Sequence, residues 1–202
     1  MTLREMIAAE RADLVEFLRT LSDDDWLVPS LCEGWRVRDV VAHLSVDTVS
    51  IATYIGALVR KRAPDRVNQH FVDEAKDLPT PELVNRLEFT VGRGWASRTM
   101  PGIILADLVV HHQDIRRPLG RPRTIDPARL LHALQHPDPF ANPRRYAKGL
   151  KFIASDLDWA TGSGPEVRGA GEALALAMVG RSAVLDDLEG DGVGLLIQRI
   201  RT

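Results

Sequence analysis

The residues whose types and spacing could do chemistry lie in Leu105-Ala-Asp-Leu-Val-Val-His-His-Gln-Asp114 of this 202-residue chain. Asp107 and His111 are four positions apart in an otherwise apolar run, so in a helix their side chains stack on one face. With Ile104, Leu108 and Ile115 they form a stripe that should face a core. Two ionisable groups in such a stripe are costly unless something satisfies them. A hydrogen bond between the two side chains would do so, and so would a shared metal ion. His112 lies about 100° further round the helix and is expected to point outward or to support the site from behind. Asp114, three residues past His111, is placed to hydrogen-bond a ligand or a neighbouring helix.

Other candidates are weaker. His43, with Asp47 one turn on and Tyr54 beyond, lies beside an apolar stripe and reads on its own as a satisfied structural histidine. Glu10 falls on the apolar stripe of the first helix, where it either reaches the helix edge or points into a site. His70 reads as a surface residue. Cys32 is the one cysteine, which excludes an internal disulfide and a Cys-rich zinc site, so any metal must use His and carboxylate ligands. It reads as a packed or loop thiol.

The elements that must position these residues follow from apolar periodicity. A first amphipathic helix spans residues 3–21, and a second runs from Val37 to about Arg62. A solvated, proline-containing link extends from Ala63 to Pro81. A third helix covers about Pro81 to Arg98, weakened by Gly92 and Gly94, and a fourth runs from Pro101 to near Arg116. Four amphipathic helices with modest connections make a four-helix bundle, in which metal sites are built from inward-facing side chains of different helices. Beyond Gly120, a short helix over Asp126–Gln135 leads into the proline-rich stretch His136–Pro143. Two extended pieces, Leu150–Ala154 and Glu166–Arg168, flank a tight loop, and a helix covers Gly171–Val179. The expected organisation is mainly α: a bundle over 1–120, a helix and linker over 121–145, and a small α/β appendage over 146–202.

A net charge of -2 and a pI near 6.3 provide no basic footprint for nucleic acid. No apolar run approaches the roughly 18 residues of a membrane span, and Met1-Thr-Leu-Arg-Glu5 begins an amphipathic pattern rather than a signal peptide, so the expected location is cytoplasmic. Gly162-Ser-Gly164 and Gly190-Asp-Gly192 lack the order of a dinucleotide motif, and there is neither a Walker sequence nor a Gly-x-Ser-x-Gly elbow.

Two segments taken together resemble a known family. Trp35-Arg-Val-Arg-Asp-Val-Val-Ala-His-Leu44 is similar to the Trp-x-Val-Arg-Asp-Val-Val-Ala-His-Leu signature of the mycothiol-dependent maleylpyruvate isomerase family, within the DinB-like metalloenzyme superfamily. Asp107-Leu-Val-Val-His-His-Gln-Asp-Ile115 resembles its Glu-Leu-x-x-His-x-x-Asp-Ile element. Asp156–Trp159, Gly164–Gly169, Leu174–Arg181 and Leu188–Gly192 resemble the C-terminal portion of shorter members. The resemblance implies a DinB-like four-helix bundle holding a divalent metal, usually zinc, through His43, Asp107 and His111. Asp107 stands where Glu is usual and reaches one methylene less far. Arg36 stands where a Ser or Thr cap is common.

The resemblance further implies mycothiol as cosubstrate, its sulfur on the metal's open position, for isomerisation or S-transfer on a small electrophilic substrate. Arg168 or Arg181 would bind an acidic part of the thiol or substrate. Two other readings stand beside this one: a hydrolase that activates water on the same metal, and a non-catalytic bundle whose His/Asp cluster is a buried polar network. Monomer and homodimer are both compatible with the sequence.

Overall fold

Thr2 opens the first helix, α1 (Leu3–Leu18), with a reciprocal cap: its hydroxyl accepts from the Glu5 N–H, and the Glu5 carboxylate accepts from the Thr2 N–H at 2.8 Å. The computed structural model describes all 202 residues, which divide into two units, Met1–Pro122 and Arg123–Thr202.

Periodicity extends one helix from Val37 to Arg62, but the chain breaks it. Helix α2 (Val37–Leu44) ends in a 3-10 turn over Ser45–Thr48, and α3 (Ile51–Lys61) departs after a 120° bend. Local polar side chains cause the break by competing for the backbone. The Ser45 hydroxyl donates to the Ala42 carbonyl, that of Thr48 to the Ser45 carbonyl, and Ser50 caps α3 by accepting from the Thr53 N–H. Apolar spacing survives across the bend, which is why it misleads.

The stretch Ala63–Pro81 is likewise more ordered than a solvated link: it contains α4 (Pro64–Glu74), with Pro64 at the first helical turn. His70 is half-buried there, 3.6 Å from Glu74 one turn on. The third expected helix is shorter than its pattern. Helix α5 (Thr80–Phe89) stops before Gly92 and Gly94, both at positive φ, and a single turn, α6 (Ala96–Thr99), precedes α7 (Pro101–Arg116).

Helices α1, α2, α5 and α7 form the bundle: α1 packs on α7 and α5, and α2 packs on α5 and α7. Its centre is Leu14, Leu18, Val40, Val41, Leu83, Leu87, Leu105 and Leu108. Helix α7 is buried almost all round from Leu105 to Ile115, so a one-stripe reading of it is too narrow. His112 therefore points inward: its Nδ1 lies 2.8 Å from Glu10 of α1, both fully buried, and its Nε2 accepts from the Arg116 guanidinium at 2.9 Å. Glu10 is thus a partner across the α1–α7 seam. No single helix is long and apolar enough to cross a membrane.

One buried ion pair knits the irregular parts together. The Arg11 guanidinium donates to Asp47 at 3.0 Å, to the carbonyls of Thr90 and Arg93, and to the Ser97 hydroxyl. Asp47 also accepts from the Ala96 N–H at 2.9 Å and the Ser97 hydroxyl at 2.8 Å. A Cβ on Gly94 would lie 1.9 Å from the Asp47 carboxylate, so only glycine lets this loop close over it. Asp47 accordingly serves this network.

In the second unit, α8 (Pro127–Gln135) starts on an Asp126 cap, and the short α9 (Pro143–Ala147) follows the proline-rich stretch. Strand β1 (Lys151–Ala154) lies between β2 (Ala160–Gly162), antiparallel, and β3 (Glu166–Gly169), parallel, with Phe152 facing Val167. The expected tight loop therefore carries a third strand of its own. Helix α10 (Gly171–Met178) packs on β1, β3 and α8, and α11 (Val193–Arg201) closes the unit against α9. The chain is mainly helical with a small C-terminal sheet.

Asp47→Ala leaves Arg11 as an uncompensated buried charge and is expected to lower stability by about 3–5 kcal/mol, read by urea denaturation of the intact chain. Removal of the exposed Arg19–Glu88 pair should leave the midpoint nearly unchanged.

Candidate metal centre

Helix α2 delivers His43 from its last turn, and α7 delivers Asp107 and His111 from successive turns. The α2–α7 packing brings the three together, with donor atoms within 4.8 Å of one another. His43 Nε2 lies 3.5 Å from one Asp107 oxygen, and His111 Nε2 lies 3.2 Å from the other. The shorter carboxylate thus reaches both imidazoles. Its side chain is 19% exposed while those of the histidines are near 10%, so one side of the cluster opens outward.

These distances are long for charge-assisted hydrogen bonds, which run at about 2.7–2.9 Å. The imidazoles approach different oxygens of Asp107, and one donor atom from each of the three residues lies within 4.8 Å of the others, a grouping that an ion could bridge. Two neutral imidazoles and one carboxylate suit zinc or a similar divalent ion, and three protein ligands leave a fourth position open.

A second cluster, Cys32, His111 and Asp114, shares one histidine but uses its other nitrogen. His111 Nδ1 is 2.9 Å from Asp114 Oδ2, and the Cys32 thiol donates to the same oxygen at 3.1 Å. Cys32 Sγ is 3.4 Å from Nδ1. These are hydrogen-bond lengths. Asp114 is fully buried, and its carboxylate accepts from the Nδ1 N–H, which turns Nε2 toward Asp107. This is the carboxylate–histidine support that metal sites use to fix tautomer and ring orientation. Asp114, expected to hydrogen-bond a ligand or a neighbouring helix, lies against His111 of its own helix.

Sequence reasoning missed Cys32. The signal was weak: a thiol three residues before Trp35, in a loop that the Leu31 N–H ties to the Asp114 carbonyl at 3.1 Å. His43 is held differently from His111. Its Nδ1 is buried without a hydrogen-bond partner, and its ring contacts Trp35 at 5.3 Å and the edge of His111 at 5.0 Å. Tyr54 packs between Phe71 and Trp95. Arg36 makes up for the missing hydroxyl cap of α2 only in part: its backbone N–H and guanidinium both donate to Asp39.

Electrostatics concentrate on the same atoms. Burial opposes ionisation of Asp107, but His111 and then His43 override it and hold the carboxyl far below the usual carboxylate range. Burial likewise opposes a charge on His111, while Asp107, Cys32 and the hydrogen bonds to Asp107 and Asp114 carry its proton affinity well above that of an ordinary histidine. Burial, then the Asp107 charge, raises the Tyr54 phenol. Arg168 and Arg181 belong to the second unit. The exposed Arg168 guanidinium pairs with Glu166 at 2.6 Å, and Arg181 reaches the Val179 carbonyl at 3.4 Å.

Residues 7–93 match the family model described as the mycothiol maleylpyruvate isomerase N-terminal domain. Among solved structures, the chain is similar to the crystal structure of the mycothiol-dependent maleylpyruvate isomerase, with a TM-score of 0.62 and 14% identity over 95% of this chain and 93% of that one. A histidine-to-alanine mutant of the same isomerase gives a TM-score of 0.62 and 15% identity with the same coverage. At these identities the likeness establishes a shared fold. The sequence matches no curated protein.

Elemental analysis of protein purified without chelator should find close to one divalent metal per chain, lost in Asp107→Ala and in His43→Ala. Asp114→Asn keeps all three ligands and should weaken binding by about 10–100-fold. Metal must displace the His111 proton, so affinity should fall as pH falls through the neutral range, while Asp107 stays ionised. Calorimetry in buffers of different ionisation heat should show proton release on binding.

Proposed function

From a helical unit whose residues 7–93 belong to the mycothiol maleylpyruvate isomerase N-terminal domain family, we propose that this chain is a divalent-metal-dependent enzyme that uses a low-molecular-weight thiol, mycothiol, for isomerisation or S-transfer on a small electrophile. The observation that carries this reading is the convergence of His43, Asp107 and His111, with donor atoms within 4.8 Å of one another and the Asp107 carboxylate facing both Nε2 atoms.

A divalent cation in such a site stabilises a coordinated thiol as its thiolate at neutral pH. The chain's own residues supply the rest. His43, Asp107 and His111 would hold the cation. Asp114 keeps the His111 proton on Nδ1, so that Nε2 stays available, and Cys32 shares that carboxylate from the side away from the ligands. Trp35 fixes the His43 ring, and its indole N–H is itself fixed by Gln69 at 2.9 Å. Arg168 and Arg181 are the proposed contacts for acidic groups of the thiol or substrate. The reading places the activity in the cytoplasm, on small molecules.

Titration of the metal-loaded protein with mycothiol should show saturable, one-to-one binding that needs both the metal and His43. Binding that persists in the metal-free His43→Ala variant would contradict a metal-held sulfur. Hydrolysis of an ester or amide by loaded protein indifferent to thiol would favour metal-activated water instead.

A further inference from the structure

A second feature of the helical unit lies outside the His/Asp cluster. A cavity of about 420 Å³ opens between the start of α1 and the loop joining α5 to α6, lined by Arg4, Ile7, Gly92, Arg93, Ser97 and Arg98 among others. No acidic side chain lines it. Five arginines of this unit are matched by carboxylates, Arg11 by Asp47, Arg19 by Glu88, Arg36 by Asp39, Arg86 by Glu82 and Arg121 by Asp25, while others such as Arg38 and Arg60 donate to backbone carbonyls. Arg4, Arg93 and Arg98 form no ion pair, and the Arg93 guanidinium only rests over the Phe89 ring at 5.1 Å. In a chain of net charge -2, this cavity gathers three guanidiniums with no carboxylate among its lining residues.

The floor is rigid. Ser97 is buried, its hydroxyl accepting from Arg11 and donating to Asp47. The Arg93 carbonyl accepts from Arg11 at 3.1 Å, so the backbone that presents Arg93 is tied to the interior. Gly92 keeps its part of the rim free of a side chain. Mutual repulsion of three cations is relieved by an anion that several of them can grip, and guanidiniums grip phosphate and carboxylate oxygens in pairs. We propose that this cavity is a binding site for a small polyanion carrying phosphate or several carboxylates, held by Arg4, Arg93 and Arg98.

The test is titration of the full chain with inorganic pyrophosphate, and in a second arm with citrate, at physiological salt, followed by backbone amide NMR. The tighter of the two probes identifies the source of the oxyanions. Shifts confined to Arg4 and residues 92–98 place the ion in this cavity, whereas chelation at the His/Asp cluster would move residues of α2 and α7. Arg93→Ala with Arg98→Ala should weaken binding about 100-fold, tenfold for each guanidinium lost, or about 1.4 kcal/mol apiece. Arg98→Gln alone should give about a tenfold loss and serves if the double variant fails to fold. Arg60→Ala, an exposed cation on α3, should change nothing. Absence of saturation by either probe, or an Arg60→Ala effect equal to that of the Arg93 and Arg98 variants, would overturn the proposal in favour of diffuse attraction.

Discussion

The bundle depends on a charge pair that is almost entirely removed from water. Arg11 and Asp47 are each about 2% exposed, and neither could be buried alone without a penalty of several kcal/mol. Together they anchor what the helices leave irregular: the turn after α2, the end of α5, and the single turn of α6 that leads into α7. His43 lies one turn before Asp47, and Asp107 lies two turns into α7. The pair thus sets where both halves of the His/Asp cluster begin.

The cluster repeats the same logic on a smaller scale. Burial alone would neutralise Asp107 and His111, yet each makes the other's charge tolerable. His111 is then used from both sides, with Nδ1 committed to Asp114 and Nε2 turned toward Asp107. His43 is held differently, its Nδ1 having no hydrogen-bond partner. His43 is oriented by ring contacts with Trp35 and His111.

Much of this was legible in the sequence, for identifiable reasons. Asp107 and His111 stand at i and i+4, a spacing that fixes a shared face in any helix, and the Trp35–Leu44 segment carries the family pattern that singles out His43. The bundle, the α8 and α10 helices and two of the three strands follow from periodicity and caps. What failed were features that periodicity does not encode. The break at Ser45–Ser50 comes from hydroxyls bonding the backbone, while the apolar spacing runs on across it. His112 turns inward because α7 is surrounded on all sides, which depends on its neighbours rather than on its own pattern. Cys32 joins the site through a loop folded against α7, and no local spacing announces such a contact.

The most direct test of the central claim is anomalous diffraction at the zinc edge from crystals of the zinc-loaded chain. The account predicts one strong peak about 2.0–2.1 Å from the Nε2 atoms of His43 and His111 and close to an Asp107 oxygen. A peak among Cys32, His111 Nδ1 and Asp114, or none in either place, would contradict it.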